Sequence, residues 1–313
     1  MNKLTLPALG LGAAASAGAV LGGIYRYIFY APPALRQQDP YALPKGAQYA
    51  QYHEKTLELV RAFDAEPYEP VSIRSFDGLQ LFGRYYHTRD GAPLQLMMHG
   101  YRGVALRDFC GGNQVALALG HNRLVIDQRA QGRSQGRSIT FGVLERQDCL
   151  SWARYAAERF GSGTPILLSG ISMGAATVLM ATALPLPGSV RGVIADCPYT
   201  TPRAIIRQVC HDLNPALAPL LPLVGPAARL LGGFDLDGAS ALDAVSATRL
   251  PILLIHGEAD SFVPCDMGRA LAAAGAGHVR LETFPGADHG MSYMLDPARY
   301  ARVVEEFTAS LGL

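Results

Sequence analysis

A chain of 313 residues, 49% hydrophobic and 17% charged, is long and apolar enough for one large domain with its own core, and its length does not demand two. The formal charge is +1 and no basic or acidic block occurs, so nothing calls for nucleic acid or another polyanion as a partner. The five cysteines, Cys110, Cys149, Cys197, Cys210 and Cys265, are odd in number, scattered, and without Cys-x-x-Cys or Cys/His metal spacing; they read as buried small hydrophobes.

From Leu4 to Tyr25 the chain carries no charge. That is enough to cross a bilayer, which takes about 20 residues. Lys3 precedes it, Arg26 follows, and Tyr25, Tyr27 and Tyr30 stand where an aromatic belt would lie. A membrane anchor through residues 4–25 is the expectation, with too thin a charge bias to orient it. A secretory signal cleaved near Ala15-Ser16-Ala17 or Ala17-Gly18-Ala19, leaving a secreted protein, and a helix lying on a cytoplasmic one are the alternatives. Residues 1–30 thus read as a hydrophobic segment, 31–69 as a connector with a helix, and 70–313 as the main domain.

After the helix-breaking Ala31-Pro32-Pro33, Tyr49, Tyr52, Thr56, Leu59, Val60 and Phe63 recur at helical spacing, and predict a helix that packs on the domain or bridges it to the anchor. Val71–Phe76 and Leu79–Tyr86 flank Asp77-Gly78, a strong hairpin signal, and predict an antiparallel pair at one sheet edge. Strands then alternate with helices: strands at Leu94–Met98, Arg123–Ile126, Ile166–Leu168, Val190–Ala195, Pro251–Ile255 and Val279–Phe284, and helices within Asp108–Leu119, Thr140–Phe160 and Asp296–Leu311. Repeated units of this kind predict an α/β fold with a mainly parallel sheet covered by helices on both faces. Between Pro198 and Leu250 there is no strand, only helical stretches broken by prolines, so residues 198–249 are expected to form a small helical cap over the strand ends.

The segment Pro165-Ile166-Leu167-Leu168-Ser169-Gly170-Ile171-Ser172-Met173-Gly174 joins an apolar strand to a helix through Gly-x-Ser-x-Gly. A sharp strand-to-helix turn needs residues without bulk on either side and holds the hydroxyl above the sheet. A second match, Gly132-Arg133-Ser134-Gln135-Gly136, lies in a polar loop with no helix directly after it. A serine needs a base and an orienting carboxylate. In the order Ser, acid, His, the histidines after Ser172 are His211, His256, His278 and His289, and only His289 sits in a turn-like loop after the last strand. Asp260 is the preferred acid, in the loop after the preceding strand, with Glu258 as fallback. Two N–H donors for an oxyanion would be the amides of Met173 and Tyr101, while His99 reads as a loop brace.

Met97-Met98-His99-Gly100, Asp127 to Ser134, Gly170 to Gly174, His256 to Asp260 and Gly286 to Gly290 together resemble an α/β-hydrolase-fold enzyme over roughly residues 70–313. The resemblance is to bacterial hydrolases with an amino-terminal hydrophobic segment, near the serine aminopeptidases. It implies Ser172, Asp260 and His289 as catalytic residues, Tyr101 and Met173 as oxyanion-hole donors, and a structural loop at Asp127, Arg129 and Gly132, with Gln131 where many relatives have His. Asp127 and Arg129 are expected to form an ion pair bracing that loop. The expected activity is cofactor-free and metal-free hydrolysis of a small-molecule carboxylic ester with an apolar acyl group. A peptide or amide is the alternative, with Asp212, Asp235, Asp237 and Asp243 of the cap as suppliers of an anionic pocket. A non-catalytic ligand-binding protein of this fold is the third reading.

Overall fold

The computed structural model describes residues 5–313, with side chains described from residue 17 onward except 36 and 37. Lys3 and the first residue of the apolar segment, Leu4, lie outside the described residues. The elements follow in order: helices α1 (Thr5–Ile28), α2 (Ala47–Ala50) and α3 (His53–Asp64); strands β1 (Glu69–Arg74), β2 (Gln80–Tyr86) and β3 (Leu94–Met98); helices α4 (Ala105–Asp108) and α5 (Cys110–Ala118); then β4 (Asn122–Asp127), α6 (Glu145–Phe160), β5 (Ile166–Ile171), α7 (Met173–Ala181) and β6 (Val190–Asp196). Helices α8 (Pro202–Leu213), α9 (Leu221–Ala227) and α10 (Ala241–Ala247) precede β7 (Ile252–Gly257), α11 (Cys265–Ala274), β8 (Val279–Phe284), α12 (Ser292–Leu295) and α13 (Pro297–Ser310).

The eight strands form one sheet in the order β1-β2-β4-β3-β5-β6-β7-β8. The Asp77-Gly78 turn closes the expected edge hairpin with Arg74 opposite Gln80, and every pair from β4 through β8 is parallel. Parallel strands covered on both faces must be apolar throughout, and β3 and β7 are buried at every position. The helix expected from Thr140 begins instead at Glu145, because the Glu145 carboxylate accepts hydrogen bonds from the amides of Thr140 (2.7 Å) and Gly142 (2.9 Å) and from the Thr140 hydroxyl. These bonds hold Phe141 and Gly142 at positive φ, which no helix permits.

Arg129 and Asp127 do not pair with each other. Arg129 pairs with Asp148 on α6 (2.6 and 2.7 Å) and with Asp77 of the hairpin turn (3.0 Å), so it ties three parts of the chain together. Asp127 accepts the Arg133 amide at 3.0 Å and turns its own loop, and the Ser134 hydroxyl is spent on the Asp127 carbonyl at 2.5 Å.

The domain boundary expected at residue 30 falls inside a packed region. Phe29 is fully buried, edge-on to Phe141 (5.9 Å) and Phe234 (5.3 Å), and Ile24 belongs to the same core. The Tyr25 hydroxyl bonds to Ser138 at 2.7 Å, and the Ile28 carbonyl accepts from the Tyr101 hydroxyl at 2.7 Å. The last two turns of α1 are therefore structural. Phe29→Ala is expected to destabilise the protein by about 3–5 kcal/mol through lost burial and a cavity. Chemical denaturation measures this, and an unchanged midpoint would contradict the inferred core role.

Candidate active site

Ser172 occupies the turn between β5 and α7 with φ 54° and ψ −116°, a backbone conformation that L residues rarely adopt and that stores strain. Its amide donates to the Asp196 carbonyl (2.8 Å) and its carbonyl accepts from Ala176 (3.0 Å), which fixes the turn from both sides. The flanking glycines are required by close approach. A Cβ on Gly170 would lie 2.3 Å from the Gly174 carbonyl oxygen, and one on Gly174 would lie 1.8 Å from that of Met98.

His289 follows β8 in the turn closed by Gly290. Its Nε2 lies 2.9 Å from Ser172 Oγ, and its Nδ1 lies 2.8 Å from Asp260 Oδ2. Asp260 Oδ1 is held by the amides of Phe262 (2.9 Å) and Val263 (2.7 Å), which leaves Oδ2 aimed at the imidazole. The structure thus brings together the three residues picked from sequence. Glu258 is not part of the group: its carboxylate accepts from Thr283 at 2.7 Å in an exposed position. Asp288, which sequence reasoning passed over, accepts from the Ser261 amide (2.8 Å) and the His289 amide (2.7 Å), so it locks the two loops together. His99 braces its loop, donating from Nδ1 to the Gly100 carbonyl (2.9 Å) and accepting the Gln128 amide at Nε2 (3.1 Å).

Electrostatics follow from burial and pairing. Burial acts to lower the His289 pKa, but the adjoining Asp260 carboxylate outweighs it and holds the imidazole above its ordinary value. Burial acts to raise that of Asp260, but the His289 and His256 rings and the Val263 amide hold it below the usual carboxylate range. Cys197, Asp260 and His289 offer donor atoms within 4.8 Å of one another. Burial pushes the Cys197 thiol well up. The carboxylate and imidazole are already committed to each other.

A cleft of about 310 Å³ opens at Ser172 and His289. Tyr101 lies on it with Gly100, where a Cβ would sit 3.6 Å from that of Ser172; Met173 begins α7 directly after the serine. Among the described contacts neither of these two amides has an acceptor. The roof is not the interval 198–249. None of the residues lining the cleft comes from it; Pro44, Tyr49, Tyr52, His53 and Thr56 of the connector line the cleft instead. The interval is helical as expected, and its α9 packs against α1. Its acids are also engaged elsewhere: Asp237 pairs with Arg203 (2.6 Å), Asp235 with Arg229 (2.8 Å), and Asp212 with Gln208 (2.9 Å). Neither they nor Asp243 reach the cleft. Tyr49 and Phe262 are the site residues sequence reasoning missed. The Phe262 ring lies 5.2 Å from that of His289, and burial, with Asp288 nearby, raises the Tyr49 hydroxyl to about 12.

Residues 95–303 match the alpha/beta hydrolase family. The chain is 28% identical over 200 residues to the uncharacterized protein YqkD of Bacillus subtilis, covering 63% of this chain and 65% of that protein. It is 29% identical over 254 residues to an uncharacterized protein of Mycobacterium tuberculosis, covering 77% of this chain and 80% of the other. Among solved structures, an esterase of Pyrococcus furiosus superposes with a TM-score of 0.65 at 20% identity over 79% of this chain and 92% of that one. The ferulic-acid-bound Est1E of Butyrivibrio proteoclasticus does so with 0.60 at 21% identity, over 77% and 98%.

Proposed function

Because this chain belongs to the alpha/beta hydrolase family, we propose that it is a serine hydrolase that cleaves a carboxylic ester through an acyl-enzyme. The observation that carries the reading is the unbroken path from Ser172 Oγ through the His289 ring to Asp260, with contacts of 2.9 and 2.8 Å. Ser172 Oγ attacks the ester carbonyl as His289 Nε2 takes its proton, and the same proton passes to the departing alcohol. Water then enters, gives a proton to His289, and attacks the acyl-enzyme; collapse releases the acid and returns the proton to Ser172. Asp260 holds the tautomer that keeps Nε2 free to accept. The amides of Tyr101 and Met173 receive the oxyanion, the latter aided by the N-terminal dipole of α7. The apolar walls of the cleft, among them Met97, Phe109, Ile171 and Ile194, support an apolar acyl group. A fluorophosphonate probe is expected to label the protein at Ser172 and to leave Ser172→Ala unlabelled. An intact protein that takes no label would rule the reading out.

The uncharged stretch at residues 4–25 supports attachment to a membrane. So does the apolar segment Pro215–Gly232, of mean hydropathy 1.2 and only 17% buried, with Leu230 exposed beside the helix that α1 packs on. Full-length protein is expected in the membrane fraction and a chain lacking residues 1–20 in the soluble fraction. The truncation stops there because Ile24 and Phe29 belong to the core. Recovery of both in the soluble fraction would count against attachment.

A further inference from the structure

Helix α1 ends in carbonyls that its own backbone does not satisfy. The Tyr27 carbonyl would take the amide of Ala31, which donates instead to the Arg137 carbonyl at 2.9 Å, and the Ile28 carbonyl is followed four residues on by Pro32, which has no N–H. The loop after β3 fills both places. The Tyr101 hydroxyl donates to the Ile28 carbonyl at 2.7 Å, and Arg102 Nη2 donates to the carbonyls of Tyr27 (2.8 Å) and Tyr30 (3.2 Å). Among the described residues the Tyr27 and Ile28 carbonyls have no other partner. This helix end is itself fixed to the domain: the Ile139 amide donates to the Phe29 carbonyl at 2.8 Å, and Phe29 is wholly buried.

The same loop carries the Tyr101 amide, and its shape depends on these contacts. Residues 100–103 make a turn closed by the Gly103 amide on the Gly100 carbonyl at 3.1 Å. The third residue of the turn, Arg102, has φ 49°, which an L residue keeps only where its surroundings impose it. Here they come from the segment ahead of the sheet: the Arg102 carbonyl accepts from Gln38 Nε2 at 3.2 Å, and the Arg102 side chain grips the end of α1. The Tyr101 ring stacks on Phe141 at 5.0 Å, so its hydroxyl is committed to α1 while its amide stays free. Relaxing φ at Arg102 would swing the turn and the Tyr101 amide with it.

We propose that the C-terminal turn of α1 takes part in catalysis through this loop: Arg102 is a positioning residue that, with the Tyr101 hydroxyl, braces the loop on α1 and keeps the Tyr101 amide aimed at the developing oxyanion. This rests on the serine-hydrolase reading and adds to it, because the segment expected only to anchor the chain then helps to set the rate of the chemical step. An amide held in place before reaction acts chiefly on the transition state, since the ground-state ester carbonyl gains little from it. Loosening the brace therefore lowers kcat and leaves KM and the path from Ser172 through His289 to Asp260 unchanged.

The test compares wild type with Tyr101→Phe, Arg102→Ala, Arg102→Gly and Arg102→Lys. It reads the rate of Ser172 labelling by a fluorophosphonate, whose phosphoryl oxygen takes the place of the oxyanion, and kcat and KM for p-nitrophenyl butyrate across pH. Arg102→Ala is expected to lose roughly 10–100-fold in labelling rate and in kcat, less than the loss of a whole oxyanion donor, with KM and the acid-limb midpoint unmoved. Arg102→Gly, in which the positive φ carries no strain, is expected to fall as far, and Arg102→Lys, whose ammonium can reach one carbonyl, to recover part of the loss. Wild-type rates in Arg102→Ala or in Arg102→Gly overturn the brace and leave the nucleophile standing. So does a loss that appears as a raised KM or a shifted acid limb, because it then runs through substrate binding or the imidazole. A wild-type protein that takes no label sinks the hydrolase reading and the brace with it. Where the protein takes the label but leaves the ester uncut, the labelling rates decide. Should the Arg102 variants not fold, Tyr101→Phe, which loses a single hydroxyl, decides: a severalfold fall in its labelling rate supports the brace and an unchanged rate overturns it.

Discussion

His289→Ala is expected to lower ester turnover by roughly 10⁴-fold or more, and Asp260→Asn by about 10³–10⁴-fold, with little change in KM. The two effects have different causes. Without the imidazole nothing within reach takes the Ser172 proton, because the other buried ring near the site, His256, is bound through Nε2 to the Val263 carbonyl at 2.9 Å. With Asn at 260 the ring remains, but the group that fixes its tautomer and steadies the imidazolium is gone. The acid limb of the pH profile separates the two roles. Only neutral His289 can act as a base, and Asp260 holds its pKa above the ordinary imidazole value despite burial, so in wild type kcat/KM should fall with decreasing pH around a midpoint above that of an ordinary imidazole. In Asp260→Asn burial acts unopposed by that charge, and the midpoint should move to lower pH. An acid limb that stays in place would mean that Asp260 does not control the imidazole.

The route by which these residues could be read from sequence is specific. Ser172, Asp260 and His289 each follow a strand, and in a parallel sheet strand ends in the same direction converge on one edge, so knowing the strands was enough to bring the three together. The connector was legible as helical, although it folds as two helices, α2 and α3, parted at Gln51-Tyr52, and the spacing that puts Tyr49, Tyr52 and Thr56 on one face says nothing about what that face covers. That face covers the serine. The interval 198–249 misled for the complementary reason: an apolar insertion between strands must pack somewhere, and the place was decided by α1, whose last turns are too distant in sequence to be weighed. Asp127 and Arg129 are two residues apart and opposite in charge, yet Arg129 finds Asp148 across a loop whose shape is set by Glu145.

Gly174→Ala is expected to be among the most damaging single-methyl changes in the domain. The added Cβ would meet the Met98 carbonyl oxygen at 1.8 Å, the Met98 carbonyl carbon at 2.5 Å and the His99 carbonyl oxygen at 2.7 Å. All three are backbone atoms, so no rotamer change relieves the contact, and α7 must move away from the end of β3. That end carries the His99–Tyr101 loop beside Ser172, so the displacement falls on the distance between the nucleophile and the Tyr101 amide. A loss of about 3 kcal/mol in stability is expected from overpacking, together with a roughly 100-fold or greater fall in kcat/KM from misplacement of reacting groups. Gly188→Ala is the control: a Cβ there meets nothing within 4 Å, so stability should change by less than about 1 kcal/mol and turnover should be unaffected. Denaturation midpoints and ester hydrolysis measured on both variants decide the matter. A Gly174→Ala protein as stable and active as Gly188→Ala would show that the junction of β3 and α7 is not the rigid seat of Ser172 that its geometry describes.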